Sequence, residues 1–169
     1  LDVLFELRNH LPDVRYAMVA SESGIGQIEA FKRRTAELGL TDAVIWAGRL
    51  AKNDMLSFYA DIDLAVSTYR NEGFGIWILE AMAMGRPVVA YNAGGIRDSL
   101  EGSPCGILVD GGPSDMAKVI LEVLGDTPRY RTMSKNAPQW VFDRFRRERM
   151  IDDYAAFFSS LISASGQVR

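Results

Sequence analysis

Two carboxylates and two glycine pairs within one stretch, Asn71 to Gly95, are the residues of this chain best placed to do chemistry. Glu72 precedes Gly73-Phe74-Gly75, Glu80 stands eight residues after Glu72, and Gly94-Gly95 closes the stretch. Glycines ahead of a helix permit tight curvature and close backbone approach, and the first free N–H groups of that helix point at whatever anion lies beyond it. A diphosphate suits such a turn, and so does a turn that needs glycine for steric reasons alone. Carboxylates accept paired hydrogen bonds from vicinal hydroxyls, those of a ribose included. Glu72 falls in a predicted loop and Glu80 more than a helical turn inside the next predicted helix. That placement favours two groups flanking a ligand over an acid and a base sharing one water. Gly75 to Met84 is a run of ten residues in which Glu80 is the only charge. The run predicts a helix buried on nearly every side, and a Glu80 that is either paired internally or aimed out of the end of a sheet at a ligand.

The elements that must position these residues follow from periodicity and punctuation. Leu1 to Leu11 has helical spacing and stops at Pro12; Val14 to Ala20 reads as a strand, and Ser21 to Gly26 as a polar turn. A helix from about Ile25 to Leu38 ends at Gly39, which suits a C′ position. Val44 to Ala47 is a short strand closed by Gly48, and Ala51 to Tyr59 is a helix with Met55, Phe58 and Tyr59 on one side. Ile62 to Ser67 is a nearly continuous apolar strand, as expected where both faces are covered. After the helix to Met84, Pro87 to Tyr91 is a strand, Gly94 to Leu100 a short helix or turn, and Gly106 to Val109 the last strand. Ser114 is placed to cap the next helix, and helices Arg129 to Val141 and Phe145 to Leu161 complete the domain, residues 1–161. Ile162 to Arg169 reads as a flexible tail. Alternating strands and helices predict an α/β, Rossmann-like doubly wound parallel sheet, with ligands bound beyond the carboxyl ends of its strands. A helix opens the chain with no strand before it, so a strand of the sheet is expected to be missing.

Other reactive residues carry less. Arg49 and Lys52 follow the strand that ends at Gly48, and these, Arg70 and Arg97 could each neutralise a phosphate or be solvated surface. Ser21, Glu22 and Ser23 have no metal-ligand or nucleophile spacing. Cys105 reads as a small buried side chain and His10 as a helix-end surface residue. Trp77 is close enough to the Phe74 turn to shape a pocket wall. Neither glycine turn carries the Lys-Ser or Lys-Thr ending of a P-loop or the G-x-G-x-x-G dinucleotide fingerprint.

Composition bounds the class. Hydrophobic residues make up 48% and charged residues 24% of 169 residues, an ordinary globular balance that excludes disorder. A net charge of -3 gives no general reason to seek nucleic acid. The arginines at 144, 146, 147 and 149 are interleaved with acids and read as a solvated helical face. One cysteine and one histidine exclude an intrachain disulfide and a His-rich metal site, and a lone thiol suits a reducing cytosol. No stretch reaches the roughly 18 apolar residues of a membrane span. The chain opens directly on Leu1 inside a predicted helix, as a piece of a longer product would.

Glu72, Gly73-Phe74-Gly75, Glu80, Ala81-Met82-Ala83, Gly85, Pro87-Val88-Val89-Ala90 and Gly94-Gly95 together resemble the signature of retaining, nucleotide-sugar-dependent glycosyltransferases of the glycogen synthase, sucrose synthase and mannosyltransferase type. These have the GT-B fold of two facing Rossmann-like domains, and the resemblance is to the carboxyl-terminal, donor-binding half. It implies that Glu80 hydrogen-bonds the ribose and that Glu72, in the catalytic position, contacts donor-sugar hydroxyls. It implies further that Gly73, Phe74, Gly75 and Ile76 meet sugar or diphosphate through their backbone, with Gly48 and Arg49 near the base. The donor would be a UDP-sugar or GDP-sugar held as substrate, with no tightly bound cofactor and no metal. Asp61-x-Asp63 lies at the opposite end of its strand. The acceptor would be a saccharide, a lipid or a small molecule, met by an amino-terminal domain absent from this stretch. The location would be cytoplasmic, with peripheral contact to the inner face of a membrane through the longer protein.

Two departures from the family pattern bear on activity. An arginine and a lysine that neutralise the leaving diphosphate belong to a loop that would precede Leu1, and the glycine-rich loop after the second strand is replaced by Ser21-Glu22-Ser23-Gly24. The family's first strand, central in its sheet, is also missing, so a longer chain or a donated strand is expected to fill its slot. Three functions are therefore distinguished: donor binding with sugar transfer, nucleotide-sugar binding without turnover, and epimerisation or hydrolysis of a nucleotide sugar.

Overall fold

The computed structural model describes residues 1–19 and 25–165. Helix α1 (Asp2–Arg8) leads to strand β1 (Tyr16–Val19), α2 (Ile25–Glu37), β2 (Val44–Gly48), α3 (Lys52–Asp61) and β3 (Ala65–Ser67). Then come α4 (Ile76–Ala83), β4 (Val88–Tyr91), α5 (Ile96–Leu100), β5 (Gly106–Val109), α6 (Pro113–Gly125), α7 (Thr127–Phe145) and α8 (Arg147–Ser165). Every strand pairing among the described residues is parallel. The Ser21 to Gly26 turn falls on residues 20–24, outside the described residues, and on the start of α2.

Strand β4 is the axis of the core, and all four of its residues are buried. Successive side chains point to opposite faces of a strand. Accordingly Val88 and Ala90 pack with Ile78, Met82, Ile96, Leu100 and Ala137, whereas Val89 and Tyr91 pack with Val3, Leu7, Met116, Ile120 and Val123. One face is thus covered by α4, α5 and α7, the other by α1 and α6. This two-sided burial is why the Pro87 to Tyr91 run is continuous in apolar residues rather than alternating.

The sheet is divided among the described residues. Strands β1 and β2 form one hydrogen-bonded pair and β3, β4 and β5 another group, with no pairing between β1 and β3. The division falls where the strand expected to be missing would lie, between β1 and β3, and β3 pairs only through β4. Strand β3 is also shorter than Ile62 to Ser67, because Ile62 packs into the core from the end of α3 and the Asp63 carbonyl accepts the Tyr130 hydroxyl at 2.9 Å.

Two local expectations are corrected. The cap of α6 is not Ser114, whose hydroxyl faces Glu6; the Asp115 carboxylate accepts the Gly112 N–H at 2.9 Å, because Pro113 occupies the first helical position and sets Asp115 one turn in. The tail expected from Ile162 overlaps α8, which runs to Ser165, and its remaining residues 166–169 lie outside the described residues. Gly39 does take the C′ position, at φ 67°, with Leu40 N–H donating to Thr35 and Gly39 N–H to Ala36. No helix of the described residues is long and apolar enough to cross a membrane.

Candidate functional site

The carboxyl ends of β3 and β4 carry the two glycine turns, and the turns pack directly against each other. Gly95 N–H donates to the Glu72 carbonyl at 3.1 Å. A Cβ on Gly95 would overlap the Gly73 carbonyl oxygen and lie 2.8 Å from its carbon, and one on Gly94 would lie 2.5 Å from the Glu72 carbonyl oxygen. Gly94 also sits at φ 57°, where a side chain is strained. Backbone lies on backbone along this seam, and only glycine leaves room for it. Both turns thus converge on one place.

Gly75 precedes α4 at φ 71°. Ile78 N–H donates back to its carbonyl at 2.9 Å, so the amides of Ile76 and Trp77 have no acceptor within the helix. The turn is braced from α5: the buried Ser99 hydroxyl donates to the Phe74 carbonyl, with the Gly95 carbonyl 3.3 Å away. The Phe74 ring packs edge-on against Phe145 of α7, centroids 5.8 Å apart. Ser99, a lone hydroxyl between Ile96 and Leu100, is one residue that sequence reasoning passed over. Its position amid an apolar face is the signal that could have found it.

Glu80 corrects the sequence reading. The carboxylate is exposed rather than buried, on a stripe of α4 formed with Ile76, Ala83 and Met84 at positions i, i+4, i+7 and i+8. Exposed apolar residues on that stripe, Ile76 at 65%, hide the solvent face from any polarity pattern. The expected internal partner does exist in part: Tyr59 of α3 donates its hydroxyl to Glu80 Oε2 at 3.0 Å. Burial, then the hydrogen bond to Glu80 and its charge, raise the Tyr59 phenol's pKa above the ordinary tyrosine range. No sequence signal singled out Tyr59 as a partner, since it stood on the apolar side of its own helix.

Glu72 is half-buried. Gly48 ends β2 at φ 64°, and Arg49 after it is exposed; both belong to the β1–β2 pair rather than to the strands that carry the glycine turns. Arg70 is engaged by the protein, stacked 4.3 Å over the Tyr91 ring and donating to the Gly111 carbonyl at 3.0 Å. Arg97 donates to Asn92 Oδ1 at 2.8 Å, and the Asn92 amide donates to Asp110 at 2.6 Å. Ser67, buried at the end of β3, has no hydrogen-bond partner for its hydroxyl among the described residues. Trp77 packs into the core beside α7. Cys105 is fully buried and burial pushes its thiol pKa up, away from nucleophilic character. His10 is exposed. Among the described residues no group of three His, Cys, Asp or Glu is arranged to hold a metal ion.

Comparison with known proteins places this geometry. Residues 6–140 match the family described as Glycosyl transferases group 1. A D-inositol 3-phosphate glycosyltransferase from Thermomonospora curvata is 35% identical over 128 residues, covering 74% of this chain and 29% of that protein. The Anabaena protein HepE, solved in complex with UDP, superposes with a TM-score of 0.80 at 28% identity, covering 94% of this chain and 44% of that one. The C-terminal domain of the group 1 protein LpcC from Francisella tularensis superposes with a TM-score of 0.72 at 22% identity, which speaks to fold alone; the match covers 86% of this chain and 79% of that one. The chain therefore spans about a third of its curated relatives and corresponds to the carboxyl-terminal Rossmann-like domain of a GT-B fold. It belongs to the group 1 glycosyl transferase family.

Proposed function

We propose that the crevice beyond β3 and β4 binds a nucleoside diphosphate sugar, and that this domain is the donor-binding half of a retaining glycosyltransferase. An acceptor-binding half would complete it and present a saccharide, lipid or small-molecule acceptor. The observation that carries the reading is the seam between the two glycine turns. It sets the amide-rich entry of α4, Glu72 and the Gly94-Gly95 turn on one edge of the sheet, the edge where parallel α/β sheets bind ligands.

In this reading Glu80 accepts hydrogen bonds from the ribose and Glu72 from donor-sugar hydroxyls. The backbone at Gly73, Phe74, Gly75 and Ile76 meets sugar and diphosphate, and Gly48 with Arg49 lies towards the base. Hydrogen bonds from fixed backbone amides cost no reorganisation when charge develops on a departing diphosphate, which is the service such a turn renders to transfer. The HepE complex with UDP supports a uridine diphosphate as first choice over GDP.

A titration of the chain with UDP, GDP and ADP, wild type beside Glu80→Gln, tests this. One diphosphate should bind tighter than the others, and the variant should bind it about tenfold more weakly, as loss of a charged hydrogen bond implies. Equal binding by both proteins refutes the ribose role. One observation favours a second reading for this domain in isolation, donor binding without turnover: Arg70 and Arg97, the arginines at this edge, already serve protein acceptors. Product analysis separates the two, because transfer yields a new glycoside and free nucleoside diphosphate whereas binding yields neither.

A further inference from the structure

Glu80 finds no side-chain partner on its own stripe of α4, where Ile76, Ala83 and Met84 lack polar side-chain donors. What orients it comes from 21 residues upstream. Tyr59 is 3% exposed, packed in the core with Ile78, Leu79 and Met82 and edge-on to Phe58 at 6.0 Å. Its hydroxyl is therefore located by packing, while the exposed carboxylate has three torsions of its own. A rigid donor on a mobile acceptor passes order one way, from the core to the carboxylate. The two helices are tied again one residue on, where Arg86, just past the end of α4, donates to the Ala60 carbonyl of α3 at 2.6 Å.

We propose that Tyr59 is a positioning residue for donor recognition: its buried hydroxyl holds Glu80 in the rotamer that meets the ribose diol. The proposal rests on the ribose reading of Glu80 given above. One phenolic proton occupies one lone pair of Oε2, which leaves Oε1 and the second lone pair of Oε2 for two ribose hydroxyls. A phenol, whose ordinary pKa is about 10, keeps that proton at neutral pH. Without it the carboxylate samples its alternative staggered wells, about three per torsion, and apparent affinity falls with the competent fraction. Freeing one to two torsions predicts a loss of about three- to tenfold in Kd.

The test compares the full chain, Tyr59→Phe, Glu80→Gln and the double variant, each titrated with UDP and with 2′,3′-dideoxy-UDP, or with the guanosine pair if that base binds tighter. The expected result is a three- to tenfold loss in Tyr59→Phe for the ribose nucleotide, no loss for the dideoxy analogue, and a double variant no weaker than Glu80→Gln. Equal loss on both nucleotides would make Tyr59 merely structural and overturn the proposal, as would an unchanged Kd for Tyr59→Phe. If Glu80→Gln itself binds as the wild type does, the ribose reading fails beneath it, an outcome distinct from either of those.

Discussion

Gly95→Ala isolates the role of the seam, because Gly95 has an ordinary backbone, φ -76° and ψ -3°, and needs glycine only for space. Its added methyl would lie 2.8 Å from the Gly73 carbonyl carbon, against the roughly 3.5–4.0 Å at which carbon atoms rest. The two turns must therefore part by about 1 Å. Parting loses the Gly95 to Glu72 hydrogen bond of 3.1 Å, about 1 kcal/mol net, and displaces packed groups at about 1–3 kcal/mol. Reduced freedom of the unfolded chain returns about 0.4–1 kcal/mol. The balance is a destabilisation of about 1–3.6 kcal/mol. With a urea dependence of about 2 kcal/mol per molar, the unfolding midpoint should fall by about 0.5–1.8 M. Gly73→Ala is the internal control: a Cβ there meets nothing within 4 Å, so only the unfolded-chain term of about 0.4–1 kcal/mol applies and its midpoint should rise by about 0.2–0.5 M. Urea titration of the two variants beside the wild type, followed by tryptophan fluorescence, decides the matter. If Gly95→Ala unfolds at the wild-type midpoint, the turns are not held backbone to backbone and the site geometry derived from them is wrong.

Ser99→Ala should cost about 1–3 kcal/mol, since it leaves the Phe74 carbonyl without its buried donor; calorimetry would show it, and Ser99→Thr should recover part if the hydroxyl is what matters. Alkaline unfolding should report Tyr59. A folded-state pKa raised above the unfolded value of about 10 gives stability that is full below about pH 10 and is lost as pH rises through the folded value. Tyr59→Phe should therefore lose less stability than the wild type above pH 10, and parallel profiles for the two proteins would contradict the Tyr59–Glu80 bond.

Local chemistry made much of this protein readable in one dimension. The alternation of apolar runs with glycine and proline stops placed five strands and most helices, and Gly39 closed α2 as its position suggested. The long ordered pattern from Glu72 to Gly95 pointed to the family and to the sheet edge where the turns lie. These features depend on neighbours in sequence, so sequence carries them. What required three dimensions was contact between distant segments. The glycine seam joins residues about twenty apart through backbone atoms, which leave no trace in side-chain pattern. The exposure of Glu80 was hidden because Ile76 and Met84 share its stripe, and its tether to Tyr59 links two helices whose apolar faces look alike in a list of residues. The division of the sheet at β1 and β3, by contrast, falls where the sequence left a strand missing. Residue types and their order determined the elements and the chemistry available; packing alone decided which carboxylate faces solvent, what holds it, and which backbone segments lie against each other.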